Sequence, residues 1–202
     1  MSRQHRLYFN KKAAEWPRPG FDDDQLRLGL ARLIFRPGEW ILDLGAGKGR
    51  LSAALRSLIG PGGRIIALDC AERMLAAAAD RLETTGGWPL CCDAAYISCR
   101  DASFDKVICY GSWPHFLQPD RVIREVQRVL RPGGELLIWH SCCSRELNRF
   151  HARLDGVVVH DVLPCATELA GMLSARGFTL VAEEEKPHYF WVQALKPLTE
   201  PL

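Results

Sequence analysis

The chain has 202 residues, which is enough for one domain with a sizeable buried core. Its formal net charge of +2 and the lack of any lysine or arginine block argue against a nucleic-acid binder. No stretch approaches the roughly 20 apolar residues that a membrane-spanning helix needs, and no apolar core follows the basic N-terminus, so we expect a cytoplasmic protein without membrane association.

The eight cysteines are expected to be free thiols, because nothing in the sequence indicates secretion. Cys91-Cys92 and Cys142-Cys143 are adjacent pairs, and the chain has no C-x-x-C. A zinc ribbon is therefore not expected.

Residues 1–36 are expected to form a helical extension ahead of the main domain. Tyr8–Trp16 has the pattern of a short amphipathic helix, which Pro17 and Pro19 would end. Its aromatic side chains fit either a lid over a site or packing against the edge of the domain. A second helix is expected to begin in the acidic run 22–24 and to carry an apolar side over Leu26–Phe35.

Strands and helices then alternate with short connections. The expected strands are Trp40–Leu44, Arg64–Asp69, Trp88–Asp93, Phe104–Tyr110 and Glu135–His140. Helices are expected after the glycine-rich turn at residues 45–49, over Ala71–Leu82 and over Pro119–Leu130. This alternation predicts right-handed βαβ crossovers and a parallel, doubly wound sheet.

The last third of the chain has a different pattern. Helices are expected at Ser144–Leu154 and Ala166–Arg176, followed by strands near Phe178–Glu183 and Tyr189–Leu195. The connection 184–188 is too short for a crossover helix, so an antiparallel terminal hairpin is predicted. The main domain is expected to cover residues 37–196, with 197–202 as a loose tail.

The stretch Ile41–Arg50 has the strongest functional signal in the chain. An apolar strand runs into an acidic residue, and Gly45, Gly47 and Gly49 follow at alternate positions before a helix. Glycine lacks the Cβ atom that would keep a ligand away from the backbone. The pattern indicates a nucleotide-like cofactor at a strand-to-helix turn, the alternative being a turn that holds no ligand.

The side chains around these glycines narrow the choice of cofactor. Arg50 occupies the place of the third glycine in a dinucleotide fingerprint, and Gly49 follows Lys48 where a phosphate-binding loop needs Ser or Thr. Asp43 would repel a pyrophosphate but would suit a ligand with an ammonium group. The expected ligand is nucleoside-like, positively charged and free of phosphates.

The pattern Asp43-Leu-Gly45-Ala-Gly47-Lys-Gly49 resembles motif I of the class I S-adenosylmethionine-dependent methyltransferases. The resemblance continues through Asp69, Asp93, Phe104-Asp105 and 128–134, and covers about residues 37–140. Within the family it is most similar to the small-molecule methyltransferases of ubiquinone and menaquinone biosynthesis. It implies a Rossmann-like α/β sheet of seven strands, ordered 3-2-1-4-5-7-6 with strand 7 antiparallel, which agrees with the predicted hairpin. The implied activity is transfer of a methyl group from S-adenosylmethionine to a small-molecule acceptor.

The resemblance also implies roles for individual residues. Asp69, next to Cys70, would accept hydrogen bonds from the ribose hydroxyls; Asp93 and Ala94 would meet the adenine, which Met74 would cover. Contacts with the amino-acid part of the cofactor are implied for Asp43, Gly45, Ala46, Gly47, Gly49, Cys109 and Tyr110. The alternative for each acidic residue is a helix cap or a turn, and Asp69 could serve both purposes.

Four of the six histidines fall in segments that could converge at the acceptor. His115 follows the fourth strand, His140 ends the fifth, His151 shares a helix face with Asn148, and His160 ends a valine run. His5 and His188 lie outside this set.

Three interpretations of these histidines stay open. His115 or His140 could act as a general base. His140, His151 and His160 could bind zinc or another divalent metal. The third interpretation is that these side chains are hydrogen-bonded at helix ends or at the surface. Cys142 and Cys143 raise the further hypothesis of a metalloid acceptor, as in arsenite methyltransferases, although their spacing does not match that family.

Two rival functions and several properties remain open. The chain could be a non-catalytic S-adenosylmethionine-binding partner or sensor, or, less consistently with Asp43 and Arg50, a nicotinamide-dependent oxidoreductase. A nucleic-acid methyltransferase is disfavoured because no Asn-Pro-Pro-Tyr motif follows the fourth strand. The acceptor atom is not predicted, and a monomer and a homodimer fit equally well.

Overall fold

A computed structural model describes residues 2–15 and 23–198, without the side chain of Asp23. The expectations for Trp16, Pro17, Pro19, Asp22 and the tail residues 199–202 lie outside the described residues. The helices are α1 Arg3–Lys12, α2 Asp23–Leu30, α3 Arg50–Ile59, α4 Glu72–Thr85, α5 Pro119–Val129, α6 Ser144–His151 and α7 Ala166–Ser174. The strands are β1 Trp40–Leu44, β2 Arg64–Asp69, β3 Gly87–Cys91, β4 Phe104–Tyr110, β5 Leu130–His140, β6 Thr179–Lys186 and β7 Tyr189–Leu195. Two 3₁₀ turns lie at Trp113–His115 and Val157–His160.

The strands form one sheet in the order β3-β2-β1-β4-β5-β7-β6. β1 to β5 pair in parallel, and β7 is antiparallel to both β5 and β6. The α/β fold class, the strand order and the terminal hairpin predicted above are thereby confirmed. His188 takes a left-handed φ of 62° in the hairpin turn, where Lys186 pairs with Tyr189.

The sheet is buried on both faces, as a parallel sheet requires. Ile41 of β1 packs with Leu51 and Leu55 of α3, whereas its neighbour Leu42 belongs to the cluster that includes Val122 of α5. Successive side chains of a strand point to opposite faces, so one apolar run serves both layers of helices. No helix among the described residues is long and apolar enough to cross a bilayer.

The two N-terminal helices differ from their predicted extents. α1 begins at Arg3, with the Ser2 side chain as its cap, and ends at Lys12, whereas we expected a helix over 8–16. α2 ends at Leu30, because the next residues form a tighter turn in which Leu33 N–H donates to the Leu30 carbonyl. Ile34, expected on the apolar side of the helix, is 77% exposed.

Two strands also differ in their bounds. β5 begins at Leu130, which pairs with Phe104, five residues before the expected start at Glu135. β3 ends at Cys91, and Asp93 follows two residues after its end.

The sheet has two edges, β3 and β6. β3 contains Pro89 and the half-exposed Trp88, over which the Arg64 guanidinium lies 4.5 Å from the ring centre. β6 contains three consecutive glutamates, 183–185.

α2 packs closely on the sheet at Gly29, and this contact is testable. A Cβ atom there would lie 2.2 Å from the buried ring of Trp139. We expect Gly29→Ala to lower the free energy of unfolding by about 1–3 kcal/mol, because the indole cannot move away without disturbing its neighbours. The measurement is urea denaturation.

Gly171→Ala in α7 is the matched control, because a Cβ atom there meets nothing within 4 Å. It should stabilise the protein by about 0.5–1 kcal/mol through the higher helix propensity of alanine. Equal effects of the two substitutions would contradict the packing described for α2.

Candidate cofactor and acceptor site

The glycine-rich turn lies at the carboxyl end of β1 and is held against β2. The N–H groups of Gly45 and Ala46 both donate to the Leu68 carbonyl at 2.8 Å. Gly45 has a φ of 80°, and a Cβ atom on it would lie 2.4 Å from Ser112 Oγ. Gly47 has a φ of 53°, and a Cβ atom on it would meet nothing within 4 Å. Gly45 is thus required by packing, whereas Gly47 faces open space that a ligand can use.

Gly49 has a structural role at the start of α3. It caps the helix with a φ of 70°, and a Cβ atom would lie 3.3 Å from Ala78 and Leu82. This position therefore serves the contact between α3 and α4.

Asp43 lies beneath the turn and is almost fully buried. Its Oδ2 accepts hydrogen bonds from Ser52 N at 3.0 Å and from Ser52 Oγ at 2.7 Å. Burial raises the pKa of Asp43 to about 7, although the two bonds from Ser52 act in the opposite direction. The carboxylate therefore connects the end of β1 to the first turn of α3.

Asp69 closes the other side of the turn. Its Oδ2 accepts a hydrogen bond from Gly47 N at 2.9 Å, and its Oδ1 accepts one from Ala71 N at 2.8 Å. Burial raises the pKa of Asp69 above its usual value, against the effect of these bonds. Asp69 thus holds the glycine turn and also supports the start of α4.

The residues expected around an adenine lie at the ends of β2 and β3. Asp93 Oδ1 accepts from Ala95 N at 2.9 Å, and Ala94 beside it is buried. Met74 is buried in a cluster with Phe9, and Cys70 packs against this cluster. Burial raises the pKa of the Cys70 thiol to about 12, so this side chain is neutral at physiological pH.

Cys109 and Tyr110 lie at the carboxyl end of β4. Cys109 is fully buried, its Sγ lies 3.1 Å from Ser112 Oγ, and burial raises its pKa to about 12. The Tyr110 ring contacts Trp139 at 4.5 Å between centres and lies under the Arg50 guanidinium. The predicted cofactor residues therefore lie together at the carboxyl ends of β1, β2, β3 and β4 or in the segments that follow these strands.

A cavity of about 240 Å³ lies beneath α1. Its walls come from α1, the 3₁₀ turn 113–115, α6 and the segment 154–158. They include Tyr8, Phe9, His115, Phe150, His151 and Val158. The lining is mainly apolar and aromatic, with two imidazoles and, from the α1 side, Lys12 and Glu15.

Asp161, next to this cavity, is hydrogen-bonded to three histidines. Its Oδ2 lies 2.6 Å from His115 Nδ1, its Oδ1 lies 2.9 Å from His5 Nε2, and its backbone carbonyl lies 2.8 Å from His151 Nδ1. Burial raises the pKa of Asp161, but the hydrogen bonds with His115 and His5 outweigh that effect and leave the pKa below its usual value.

The protonation of the imidazoles follows from that charge. An ionised carboxylate and a backbone carbonyl can only accept hydrogen bonds. His115 and His151 therefore both donate through Nδ1–H, and in its neutral form each ring has the lone pair on Nε2. Their ring centres are 5.2 Å apart, so the cavity has two neighbouring imidazoles of fixed tautomer.

His140 is in a different state. It is almost fully buried at the end of β5, and its Nε2 has no hydrogen-bond partner among the described residues. Burial lowers its pKa to about 3, with further contributions from His115 and His151. His140 is consequently neutral near pH 7 and a weak base, which favours His115 for proton transfer.

The structure does not assemble the predicted metal ligands. Of the three histidines proposed, His160 is exposed, and the Nδ1 of His151 is bonded to the Asp161 carbonyl. Over residues 2–15 and 23–198, no group of three or more His, Cys, Asp or Glu side chains is arranged to hold a metal ion.

The cysteines after β5 and the asparagine of α6 have structural surroundings. Burial raises the pKa of Cys142 to about 11, and Cys143 is buried at the start of α6. Asn148 is bonded through its side chain to both the N–H and the carbonyl of Leu163. These contacts fix the segment that carries Asp161.

The cavity and the glycine turn are adjacent. Ala71, whose N–H donates to Asp69, packs in one cluster with Phe9 and Val158. Phe9 and Val158, which line the cavity, pack in the same cluster as Met74. A ligand on the turn and a ligand in the cavity would therefore be neighbours.

Two residues of this site, His5 and Asp161, are not indicated by any sequence pattern. His5 lies outside the histidine segments expected to converge, and Asp161 belongs to no motif. Their contact joins positions 156 residues apart, and no motif or spacing relates them. An acidic residue directly after His160 was the only local hint.

The comparisons with known proteins agree with this geometry. A protein-family model described as "Methyltransferase domain" matches residues 42–138. The ubiquinone/menaquinone biosynthesis C-methyltransferase UbiE of Bordetella avium is 38% identical over 112 residues, which are 54% of this chain and 43% of that protein. The protein of the same name from Cupriavidus metallidurans is 33% identical over 163 residues, or 79% of this chain and 65% of that protein. This chain thus matches less than two thirds of the length of either relative.

The fold has close counterparts among solved structures. The crystal structure of a SAM-dependent methyltransferase from Aquifex aeolicus superposes with a TM-score of 0.74 at 20% identity. The match covers 92% of this chain and 97% of the other. At that identity the likeness establishes the fold.

The open space at Gly47 is testable by comparison with Gly38. Both glycines have a positive φ, and a Cβ atom would meet nothing within 4 Å at either position, but Gly38 lies at the opposite end of β1. We expect each alanine substitution to destabilise the protein by about 1–2 kcal/mol through left-handed strain. Gly47→Ala alone should weaken S-adenosylmethionine binding, by about tenfold or more, as measured by isothermal titration calorimetry. Equal affinities of the two variants would contradict a ligand site on the turn.

The burial of Asp43 predicts a pH dependence of stability. Its pKa is about 7 in the folded chain, against the usual 3.8 of an aspartate, so the folded state keeps this proton to a higher pH than the unfolded state does. The contribution of Asp43 is full below pH 3.8 and is lost as the pH rises through about 7. Between these values, we expect the free energy of unfolding of the wild type to fall relative to Asp43→Asn, which does not ionise. Denaturation at several pH values measures this difference, with Asp101→Asn at an exposed carboxylate as the control; parallel curves for wild type and Asp43→Asn would contradict it.

Proposed function

We propose that the chain is an S-adenosylmethionine-dependent methyltransferase that methylates a small molecule bound in the cavity beneath α1, with His115 as the general base. The methyltransferase-domain match over residues 42–138 and the relatives at 33–38% identity support the activity. The observation that carries this proposal is the hydrogen bond between His115, which lines the cavity, and the buried Asp161. The proposal concerns two neighbouring sites: a cofactor half, at the carboxyl ends of the strands, and an acceptor half, the cavity that would hold the molecule to be methylated.

The residues at the carboxyl edge of the sheet fit the cofactor. Asp69 offers carboxylate oxygens to the two ribose hydroxyls, and the open backbone at Gly47 allows close approach of the amino-acid part. Asp93 and Ala94 meet the adenine edge, with Met74 against the ring. When bound, S-adenosylmethionine supplies a methyl group on a sulfonium, which is electrophilic without help from the protein.

The acceptor half is a mainly apolar cavity with two fixed imidazoles. Tyr8, Phe9 and Phe150 favour a flat aromatic or similarly apolar body. In the neutral rings, Nε2 of His115 and Nε2 of His151 can accept hydrogen bonds. A small molecule that matches them carries hydroxyl or N–H groups. The relatives are named as C-methyltransferases of ubiquinone and menaquinone biosynthesis. This supports a ring with a phenol-like hydroxyl, from which loss of a proton makes the ring electron-rich.

His115 has the geometry of a base oriented by a carboxylate. Nδ1–H donates to Asp161 Oδ2, so the lone pair on Nε2 is available to take the acceptor proton. The resulting imidazolium is stabilised by the Asp161 charge, whose pKa lies below its usual value. His115 would take the hydroxyl proton of the acceptor as the methyl group is transferred. If a ring carbon is methylated, the proton displaced from that carbon would restore the hydroxyl, so that one proton in all passes to His115.

Apart from removal of the proton, the contribution of the protein to the reaction would come from the cavity. Alignment of donor and acceptor and exclusion of water are the main requirements of such a displacement. The walls of the cavity, closed by α1 on one side, meet both requirements.

The test uses His115→Asn. The Asn amide can still donate to Asp161, as Nδ1–H does, but it has no atom at the place of Nε2. We expect kcat to fall by about 10²–10⁴ while the affinity for S-adenosylmethionine is unchanged. Formation of S-adenosylhomocysteine with a panel of phenols, catechols and hydroquinones is the assay, and the exposed His160→Asn is the matched control.

Wild-type turnover by His115→Asn would contradict the role of the base. Binding of S-adenosylmethionine without turnover of any acceptor in the panel would favour the non-catalytic partner or sensor.

A further inference from the structure

We propose that His5 is a positioning residue for the Asp161–His115 pair, so that docking of α1 both closes the cavity and completes the base. This inference rests on the function proposed above. It concerns a residue that neither the glycine turn nor the family match includes, since the matched domain begins at residue 42.

His5 is hydrogen-bonded to the Asp161 side-chain oxygen that His115 does not contact. The Asp161 side chain is 2% exposed, so an oxygen without a donor would be costly. His115 serves Oδ2, and His5 Nε2 lies 2.9 Å from Oδ1. Two donors on two oxygens fix the plane of the carboxylate, which in turn fixes the tautomer of His115.

The orientation of His5 is itself fixed from the other side. Its Nδ1 lies 2.8 Å from Ser2 Oγ, and Ser2 Oγ also accepts from His5 N as the cap of α1. With Nε2–H donating to an ionised Asp161, Nδ1 is left to accept from the serine hydroxyl. The start of α1 and the carboxylate are thereby joined by one chain of hydrogen bonds.

One helical turn further on, Phe9 contacts the second member of the pair. Its ring lies edge-on to the His115 ring, with 4.8 Å between the centres. Residues four apart share one face of a helix. The same face of α1 therefore holds Asp161 through His5 and His115 through Phe9.

α1 is also attached to the cofactor side. Asn10 is buried, and its Oδ1 accepts from Arg73 N in the first turn of α4 at 3.0 Å. That turn follows Asp69, the proposed ribose partner. α1 thus bridges the start of α4 and the segment of Asp161, and it supplies Tyr8, Phe9 and Lys12 to the cavity wall.

The consequence is a coupling between closure and catalysis. With α1 displaced, the cavity is open to water, Asp161 loses one of its two imidazole donors, and His115 loses its ring contact. With α1 docked, the cavity wall, the second imidazole donor and the ring contact are all present, so the base is complete only when α1 covers its side of the cavity.

The experiment compares His5→Phe with His5→Gln. Phe keeps an aromatic ring but cannot donate to Asp161, whereas the Gln side-chain amide reaches about as far as Nε2 and can donate. We expect His5→Phe to lower kcat by about 10- to 100-fold with KM and S-adenosylmethionine affinity nearly unchanged. His5→Gln should recover most of that loss. Leu7→Ala, at an exposed position of the same helix, is the control with unchanged turnover.

A second measurement does not depend on turnover. Amide hydrogen exchange should be faster in α1 and in residues 157–161 for His5→Phe than for His5→Gln or Leu7→Ala. Equal exchange in all variants, or a His5→Phe enzyme as active as the Leu7→Ala control, would overturn the positioning role. If His115→Asn is inactive while His5→Phe is fully active, the proposed function stands and this inference fails. If exchange responds as expected but neither His5 nor His115 affects turnover, the proposed function fails.

Discussion

A carboxylate removed from water must receive hydrogen bonds or lose its charge, and the carboxyl edge of this sheet is built around that constraint. Asp43 is served by Ser52, Asp69 by Gly47 and Ala71, and Asp93 by Ala95. In each case the donor lies in the turn or helix that follows a parallel strand. The hydrogen bonds that stabilise the buried acidic groups also fix the conformation of the loops around the proposed cofactor site.

Asp161 meets the same constraint with imidazoles from distant parts of the chain. His115 comes from the turn after β4 and His5 from α1, so satisfying one carboxylate brings three segments together. Burial also distinguishes His140 from the histidines bonded to Asp161. Nε2 of His140 has no partner among the described residues and burial lowers its pKa to about 3, whereas His115 is hydrogen-bonded to an ionised carboxylate that would stabilise it after it takes a proton.

The sequence was informative where structure follows from nearby residues. The alternating apolar runs indicated the parallel sheet, and the short connection 184–188 indicated the hairpin, because element type and turn geometry depend on nearby residues. The strand order, which depends on how distant strands pair, came from the family resemblance carried by motifs such as Asp43 to Gly49. The acceptor side was not predictable in this way. The contact of His5 with Asp161 depends on where α1 docks, and that position is set by Asn10 and Phe9 packing against residues far away in the chain. The end of α2 was missed because a tighter turn after Leu30 replaces the helical hydrogen bonds that its apolar pattern suggested.

The two edges of the sheet have a consequence for behaviour at high concentration. An open edge presents backbone groups to which a strand of another molecule could add. At β3, Pro89 removes one N–H from that edge. At β6, Glu184 is paired with Arg32 and Lys186, and Glu185 accepts hydrogen bonds from Ser144 and Ala166. A strand from another molecule would therefore meet a missing donor at one edge and, at the other, a strand whose acidic side chains are already bonded within the chain.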